Sequence, residues 1–329
     1  MSSLREGTGA VVYRVHAGES GERIDKVLAD LVPLSRTRIR RAIEAGTVRV
    51  DGVTIRRASE RVEPGSEIVV EVEPKAEPSL RPADIPVSIL WEDAECLVVD
   101  KPAGLVVHPG PGHLDDTLVN ALLHHRPEIA GVGDERKAGL VHRLDQGTSG
   151  CLLVAKSDIA HRRLSSQFAA RTIDKTYWTF VWGHMGARVG VLDAPIGRSV
   201  RDRQQMSSRT RRGRRAVTRW RVVETYAIGE WLEIDLETGR AHQIRVHLAE
   251  AGHPVMGDSR YGGGASRARG FHGPQLAWAR QASALAARQA LHAFALAFDH
   301  PTTGERLRVE APLPRDLETL REALRAHPA

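Results

Sequence analysis

A proline-rich segment at residues 74–86 interrupts the chain: four of its thirteen residues are proline, and its apolar residues show no period. Proline fixes its own φ and lacks a backbone N–H, so neither a helix interior nor a central strand can run through such a segment. We therefore expect a semi-rigid linker here. It predicts two domains, a small one within residues 1–80, folded from about 20 to 73, and a large one at residues 85–329.

Composition is that of an ordinary globular protein. The chain has 329 residues, of which 41% are hydrophobic and 27% charged, which suits about two domains with their own cores. The 47 lysines and arginines exceed the 41 acidic residues by 6. This modest basic excess permits a polyanionic partner without requiring one.

The two cysteines, Cys96 and Cys151, lie in apolar stretches without a Cys-x-x-Cys pattern. We expect buried, reduced thiols of a cytosolic protein. The N-terminus lacks an apolar signal region, and no stretch approaches the roughly 18 apolar residues of a membrane helix. These features predict a cytoplasmic location.

The small domain shows the pattern of two helices on a small sheet. Apolar residues recur at helical spacing at 23–31 and again at 35–45, where Ser35 is a suitable N-cap. Residues 47–55 form a predicted hairpin around an Asp-Gly turn, and 66–72 a further strand.

The second of these helices carries four arginines: Arg36, Arg38, Arg40 and Arg41. A charged helix is usually just a solvated face. Here the arrangement resembles the small RNA-binding domain shared by a ribosomal small-subunit protein and the tyrosyl-tRNA synthetases. The resemblance implies that the four arginines contact RNA.

In the large domain, residues 139–155 place a carboxylate between two apolar stretches. His142-Arg143-Leu144-Asp145 is followed by Gln-Gly-Thr-Ser-Gly and a buried strand-like run. Asp145 is thus held at a bend instead of on a solvated helix face. On its own, such an aspartate would most often only start a turn.

Three further motifs accompany this one. Asp-Lys-Pro-Ala-Gly at 100–104 follows a buried strand, Lys-Thr-Tyr at 175–177 opens a strand-like run, and Gly-Arg-Ala-His-Gln-Ile-Arg-Val-His-Leu spans 239–248. Together the motifs resemble the RNA pseudouridine synthases of the RluA/RluD type, from about residue 93 to residue 312. The resemblance implies an α+β fold, a mixed and mainly antiparallel sheet in the catalytic domain, and isomerisation of uridines in structured RNA.

The resemblance also implies roles for individual residues. Asp145 corresponds to the catalytic aspartate, Tyr177 to the active-site tyrosine, and Arg245 to the arginine that pairs with the aspartate. Arg143 corresponds to the residue that fills the space of a flipped nucleotide. We further expect RNA contacts from the motif residues His142, Arg240 and His242.

An arginine-rich segment at residues 199–221 holds nine arginines among serine, glutamine and glycine. We expect a mobile loop that binds a polyanion, with Arg211 and Arg212 among its RNA contacts. Disorder without function is the alternative.

The remaining patterns predict further elements. We expect helices at 118–125, capped by Thr117, and at 158–170, strand-like runs at 88–93 and 96–104, and strands at 171–183 and 216–223, with closing strands at 289–293 and 298–301. Residues 262–288 show no assignable pattern.

No cofactor or metal motif is present. The chain lacks a P-loop, a Gly-x-Gly-x-x-Gly after a strand and zinc-ligand spacing, and the adjacent His124 and His125 belong to no ligand set. We expect no cofactor, no metal, a monomeric protein and structured RNA as partner.

Within this family the basic N-terminal domain favours large-subunit ribosomal RNA as the substrate. Three alternatives stay open: a catalytically silent RNA-binding factor in ribosome assembly, a synthase that acts on tRNA, and a glycosidase, which would normally need two carboxylates.

Overall fold

The computed structural model describes residues 2–5, 11–16, 21–32, 36–72, 80–110, 112–133, 138–200, 202, 205–210 and 212–329. The chain forms two compact units, Met1–Ser79 and Leu80–Ala329. None of the helices in the described ranges is long and apolar enough to cross a bilayer.

The first unit packs two helices on an antiparallel sheet with the strand order β1-β2-β5-β3-β4. Its elements are β1 (Ser2–Arg5), β2 (Val11–His16), α1 (Ile24–Leu31), α2 (Arg36–Ala45), β3 (Val48–Val50), β4 (Val53–Ile55) and β5 (Glu67–Val72).

The core of this unit is formed by the apolar faces of the two helices, with Ile24, Leu28, Ile39 and Ile43 fully buried. The Asp-Gly turn joins β3 to β4 with φ of 48° and 81° at its two residues, the left-handed values that a tight hairpin requires. The first two strands have no counterpart in the sequence prediction. Ser35, the predicted N-cap, lies outside the described residues.

The second unit is built on a mixed, mainly antiparallel sheet with the order β10-β13-β14-β9-β15-β8-β7-β6 and with β16 paired to β15. Only the β15–β8 pair among these is parallel. The predicted α+β fold class is confirmed.

The strands of the second unit are β6 (Ser88–Glu92), β7 (Cys96–Lys101), β8 (Ser149–Ala155), β9 (Asp174–Trp182), β10 (Val189–Asp193), β11 (Gly197–Arg198), β12 (Met206–Ser207), β13 (Val217–Tyr226), β14 (Gly229–Leu236), β15 (Leu291–Asp299) and β16 (Arg306–Glu310). Its α-helices are α3 (Leu118–His125), α4 (Asp158–Ala170), α5 (Gln243–Glu250), α6 (Pro274–Leu285) and α7 (Arg315–Arg325).

Strand β8 lies in the interior of the sheet, between β15 and β7, and is buried along its whole length. The segment that leads to it passes so close to the strand that a Cβ on Gly139 would lie 2.0 Å from the carbonyl oxygen of Ala155. Gly139 also has φ of 74°, a value that favours glycine. The chain that carries Asp145 is therefore fixed against the core at both of its ends.

The second half of the predicted linker belongs to the large unit. Asn120 of α3 donates from Nδ2 to the carbonyl of Arg81 at 2.8 Å, and the backbone N–H of Ala83 donates to the carbonyl of Asn120 at 3.0 Å. Leu80 and Val87 pack on the core. The described part of the linker, from Leu80 onward, has no regular structure before β6 but makes these specific contacts. Residues 74–79 of the linker lie outside the described part.

Residues 262–288, which the sequence left unassigned, contain a 3-10 turn (Ala265–Gly270) and helix α6. The buried residues of α6 are alanines, Ala279 and Ala282. Because alanine is only weakly hydrophobic, an alanine face differs little in hydrophobicity from the other faces of the helix. The helical period therefore could not be recognised in the sequence. The two predicted closing strands are a single strand, β15, and the strand that closes the sheet beside it is β16.

The prediction of a mobile arginine-rich loop was wrong for its described part. Strand β11 pairs antiparallel with β12, and Ile196 and Arg214 exchange two backbone hydrogen bonds of 2.9 Å at the base. We call residues 196–214 the arginine-rich hairpin. Arg201, Arg203 and Arg211 lie outside the described residues, and two of the remaining arginines, Arg219 and Arg221, are part of β13.

Candidate active site

A cleft of about 700 Å³ opens in the second unit where the main sequence motifs converge. Its wall combines the turn after Leu144, the start of β9, the end of β14 and the first turn of α5. Seven of the predicted site residues line it: His142, Arg143, Asp145, Tyr177, Arg240, His242 and Arg245.

Asp145 and Arg245 form an ion pair in this cleft. Arg245 Nη1 donates to Asp145 Oδ2 at 2.9 Å, while Nε and Nη2 donate to the two oxygens of Asp258 at 2.6 and 2.9 Å. Burial opposes the charge, but the two carboxylates outweigh it and hold the pKa of Arg245 above its ordinary value. The bidentate contact with Asp258 fixes the plane of the guanidinium. It therefore also fixes the direction of the Nη1–H that donates to Asp145.

Asp258 is a site residue that sequence reasoning missed. Its side chain is almost completely buried, and besides binding Arg245 it accepts hydrogen bonds from the backbone N–H groups of Arg260 and Tyr261. In the sequence, Asp258 follows Gly257 close after the motif that carries Arg245. Nothing in that spacing indicates that the side chains of Asp258 and Arg245 meet.

The turn that follows Asp145 is held by two cations, the buried Lys101 and the partly buried Arg288. Lys101, with no exposed surface, donates from Nζ to the carbonyls of Pro102 and Leu105 at 2.8 Å and of Gln146 at 3.2 Å. Arg288 donates to the carbonyl of Gly147 at 3.0 Å.

Burial and the nearby charge of Arg288 lower the pKa of Lys101 to about 7. Its three carbonyl partners nevertheless match the three N–H groups of the ammonium form, so the hydrogen bonds favour the charged lysine near neutral pH. Together the two cations fix the backbone around Asp145.

Tyr177 projects from β9 into the cleft, and only 8% of it is exposed. Burial, reinforced by the negative charge of Asp145, raises the pKa of Tyr177. The phenol therefore stays protonated at neutral pH and presents both a flat ring and an O–H beside the carboxylate.

His142 makes contacts within the fold, while its contact with RNA stays a prediction. Its ring stacks on Phe168 at 4.6 Å, and its Nε2 accepts the backbone N–H of Leu153 at 2.9 Å. Burial and the charge of Lys175 lower the pKa of His142 to about 3. A neutral imidazole with one nitrogen bonded to β8 positions the segment before Asp145 and has little to offer a phosphate.

Positive side chains surround the mouth of the cleft. Arg143, Arg171 and Arg214 are exposed and Arg240 is half-buried. Burial and the charges of Arg214 and Arg171 lower the pKa of Arg240. Such a group of like charges is favourable when an anion lies among them.

The other predicted RNA contacts lie elsewhere. Arg212 is exposed on the arginine-rich hairpin, and Arg211 is outside the described residues. Arg40 and Arg41 are exposed on α2 of the first unit, where Arg40 lies 3.6 Å from Glu44. The side chains of Arg36 and Arg38 are not among those described.

Two groups of possible metal ligands occur in the described part of the chain, both away from the cleft: Asp84 with His124 and His125, and Asp93 with Cys96 and His300. Their atoms already have partners. His125 Nε2 lies 2.9 Å from the carbonyl of Ile85, and His300 Nε2 lies 2.7 Å from Asp93 Oδ2. We assign neither group to the chemistry of the cleft.

Comparison with known proteins gives matches over nearly the whole chain. A model of the RNA pseudouridylate synthase family matches residues 95–250, and an S4 domain model matches residues 22–68. An uncharacterised RNA pseudouridine synthase of Bacillus subtilis is 43% identical over 93% of this chain and 95% of its own length. The ribosomal large subunit pseudouridine synthase D of Pseudomonas aeruginosa is 43% identical over 93% of this chain and 92% of its own.

Among solved structures, human RNA pseudouridylate synthase domain containing 1 is similar to this chain. The TM-score is 0.53 at 27% sequence identity, with 75% of this chain and 97% of that chain covered.

Proposed function

The chain belongs to the RNA pseudouridine synthase family, a family of isomerases, and we propose that it converts specific uridines of large-subunit ribosomal RNA into pseudouridine, with Asp145 as the catalytic carboxylate. The observation that carries the proposal is the ion pair of Asp145 with the buried Arg245 in a cleft lined by the family motifs. The ribosomal substrate is supported by the names of relatives that align over most of the chain.

The reaction breaks the C1′–N1 bond of uridine, turns the uracil and joins C1′ to C5. The proton on C5 leaves, N1 gains one, and no electrons enter or leave, so the balance needs no cofactor. An ionised Asp145 can serve in two ways: its oxygen adds to C1′, or it removes the 2′ proton to give a glycal. The arrangement in the cleft is compatible with both routes.

Arg245 and Tyr177 each carry a group that suits a different part of this reaction. The guanidinium of Arg245 holds Asp145 Oδ2 at 2.9 Å and offsets its negative charge in the cleft. Tyr177 offers a flat surface on which uracil can stack, and its O–H lies on the side of the carboxylate, where the C5 proton must be handled.

A uridine stacked in RNA exposes neither bond to a protein, so the nucleotide must turn out of its stack to enter the cleft. The exposed Arg143, two residues before Asp145, is our candidate for the side chain that fills the vacated space. Arg171, Arg214 and Arg240 at the mouth are candidates for contacts with the phosphates beside that nucleotide.

The alternatives lose support from the same geometry. A catalytically silent assembly factor would have no need for a carboxylate held by a buried arginine. A glycosidase would need a second free carboxylate, whereas Glu237, the other carboxylate that lines the cleft, accepts a hydrogen bond from Arg219 Nε at 2.7 Å, and Asp258 is bound on both oxygens by Arg245. A cytoplasmic location accords with the proposed ribosomal substrate.

Mapping of pseudouridine in a strain that lacks the gene tests this proposal. Complementation with the wild-type chain should restore pseudouridine at particular large-subunit positions, and complementation with Asp145→Asn should not. Loss confined to tRNA would disprove the ribosomal substrate. An unchanged pseudouridine map in all RNA classes would disprove the proposed function as a whole.

A further inference from the structure

Tyr261 connects the arginine-rich hairpin to the cleft. Its hydroxyl accepts the backbone N–H of Met206 in β12 at 3.0 Å and lies 2.7 Å from His242 Nδ1. The other ring nitrogen of His242, Nε2, lies 3.9 Å from Asp145 Oδ1. A chain of polar groups therefore runs from the hairpin to the carboxylate.

The direction of the hydrogen bonds follows from the donors. The Met206 N–H can only donate, so it occupies a lone pair of the Tyr261 oxygen. The Tyr261 O–H then has His242 Nδ1 as its acceptor within hydrogen-bonding distance. A neutral His242 that accepts at Nδ1 carries its proton on Nε2, the nitrogen that faces Asp145. Burial lowers the pKa of His242, which favours this neutral ring.

Arg245 and His242 face different oxygens of Asp145. Arg245 binds Oδ2, and His242 Nε2 is directed toward Oδ1. His242 itself has φ of 56°, in the left-handed region, immediately before α5. A residue without glycine's freedom occupies that region only when its surroundings hold it there.

The hairpin is attached to α5, the helix that carries Arg245. Glu250 on α5 accepts hydrogen bonds from Ser207 Oγ at 2.8 Å and from the backbone N–H of Ser208 at 3.1 Å. Met206 and Tyr261 pack against a small apolar cluster between the hairpin and the helix. The Met206 N–H reaches Tyr261 only while the hairpin is in this position.

We propose that Tyr261 is a positioning residue: anchored by the docked arginine-rich hairpin, it orients His242 so that Nε2–H faces Asp145. RNA held by the arginines of the hairpin would then stabilise the arrangement of the carboxylate that performs the reaction. This inference rests on the proposed role of Asp145. It adds a link between RNA contact and the active site that the ion pair with Arg245 does not provide.

The Tyr261→Phe variant tests the link because it removes the hydroxyl and keeps the ring, which lies over Arg245 at 5.0 Å. We expect the single-turnover rate at saturating RNA to fall about tenfold, the scale of one lost buried hydrogen bond, while RNA affinity stays within about twofold. Tyr226→Phe is the matched control, since Tyr226 is a buried tyrosine whose hydroxyl bonds Glu224. It should leave the rate unchanged.

Nitrogen-15 NMR of the histidine rings tests the orientation without any activity. The His242 signals, assigned by their loss in His242→Gln, should show the Nε2–H tautomer in the wild type. Tyr261→Phe and Glu250→Ala, which removes the anchor of the hairpin, should both shift the signals toward a tautomer mixture. The NMR measurement tests the orientation of His242 even if the wild type fails to isomerise RNA. That failure would count against the proposed function and not against the role of Tyr261.

Three results would overturn the inference. A wild-type Nδ1–H tautomer would exclude the hydrogen-bond direction. A wild-type rate in Tyr261→Phe, or a loss seen only in RNA affinity, would remove Tyr261 as a positioning residue. Unchanged His242 signals in Glu250→Ala would remove the link to the hairpin.

Discussion

Arg245 binds two carboxylates of different exposure, and the difference explains their separate tasks. Asp258 is enclosed and bound on both oxygens, while Asp145 is one-fifth exposed at its side chain and bound on one. A buried charge is costly unless it is paired and hydrogen-bonded. Asp258 thus fixes the cation, and the cation orients Asp145 in the cleft.

Arg245→Met should slow isomerisation by about 10- to 100-fold, the scale of a lost hydrogen bond between charged groups. Without the guanidinium, Asp145 Oδ2 loses the partner that lies 2.9 Å from it, and the carboxylate loses its fixed orientation. Single-turnover rates at saturating RNA provide the measurement. A wild-type rate in Arg245→Met would mean that the ion pair does not contribute to the reaction.

The same variant should also destabilise the fold, because Asp258 would be left buried without its partner. Removal of one member of a buried pair costs about 3–5 kcal/mol. The double variant Arg245→Met with Asp258→Asn should recover much of this loss. If the double variant is as unstable as the single one, the uncompensated charge is not the cause.

His292 predicts a pH dependence of stability. It is fully buried between Ser149 Oγ and the carbonyl of Ala311, and burial lowers its pKa to about 4. Between about 6.5 and 4 the unfolded chain binds a proton that the folded chain does not, so the free energy of unfolding should fall as the pH falls through this window. One such group contributes up to about 1.4 kcal/mol per pH unit.

His292→Gln should make this slope shallower by about one proton. Urea unfolding at pH 7 and pH 5 measures it, and tryptophan fluorescence reports the second unit alone, because all 6 tryptophans lie between residues 91 and 278. Equal slopes in both proteins would show that His292 does not set the pH dependence.

At the scale of single residues, the sequence predicted those site residues that stand in a recognisable motif. Asp145, Tyr177 and Arg245 meet in the cleft as the resemblance implied, though their catalytic roles stay predictions. Asp258 and Tyr261 were not predicted because their importance arises from partners that only the folded chain brings to them. The hydrogen bond from the Leu153 N–H to His142 was not predicted either, because a motif position does not reveal that the ring bonds a strand backbone.

Elements with strong amphipathic contrast were predicted closely, and those without it were not. Helix α4 has the bounds that its apolar spacing indicated, with Ser157 accepting the N–H of Ala160 as its cap. Helix α6 buries alanines, and the arginine-rich hairpin is fixed by Glu250 on another element. Local composition indicated a loop because it contains no information about that distant anchor.

The arginines at the mouth of the cleft lead to a prediction at the scale of the helices that carry them. Arg171 lies at the end of α4 and Arg240 just before α5, and each should contribute a phosphate contact. Arg171→Gln and Arg240→Gln should each flatten the log–log dependence of RNA affinity on salt by about 0.7 to 0.9. Arg280→Gln, at an exposed position on α6 away from the cleft, is the control and should leave the slope unchanged. Slopes equal to the wild type in all three would exclude both contacts.

For the whole molecule, the proline-rich segment predicted a division that agrees with two compact units. The sequence could not reveal that residues 80–87 pack on the large unit, since the contact with Asn120 depends on helix α3. Every motif that lines the cleft lies in the second unit, whereas the first unit carries the four arginines of α2.

Deletion of residues 1–79 should therefore leave a folded second unit with chemistry intact on saturating RNA. Binding should weaken and its salt dependence become shallower, because the arginines at 36, 38, 40 and 41 no longer displace counterions. Affinity across a salt series and single-turnover rates measure the two effects separately. An unchanged slope would exclude RNA contact by the first unit, and a collapsed rate at saturation would mean that it helps to build the active site.

The most direct test of the account compares the wild-type chain with Asp145→Asn on large-subunit ribosomal RNA labelled with tritium at uridine C5, in buffer without any cofactor. The wild type should release tritium and form pseudouridine. Asp145→Asn should bind the RNA within a few-fold of the wild type yet release less than about one per cent as fast, since the change removes the charge and little volume. Tritium release by Asp145→Asn at a rate near that of the wild type would contradict the account.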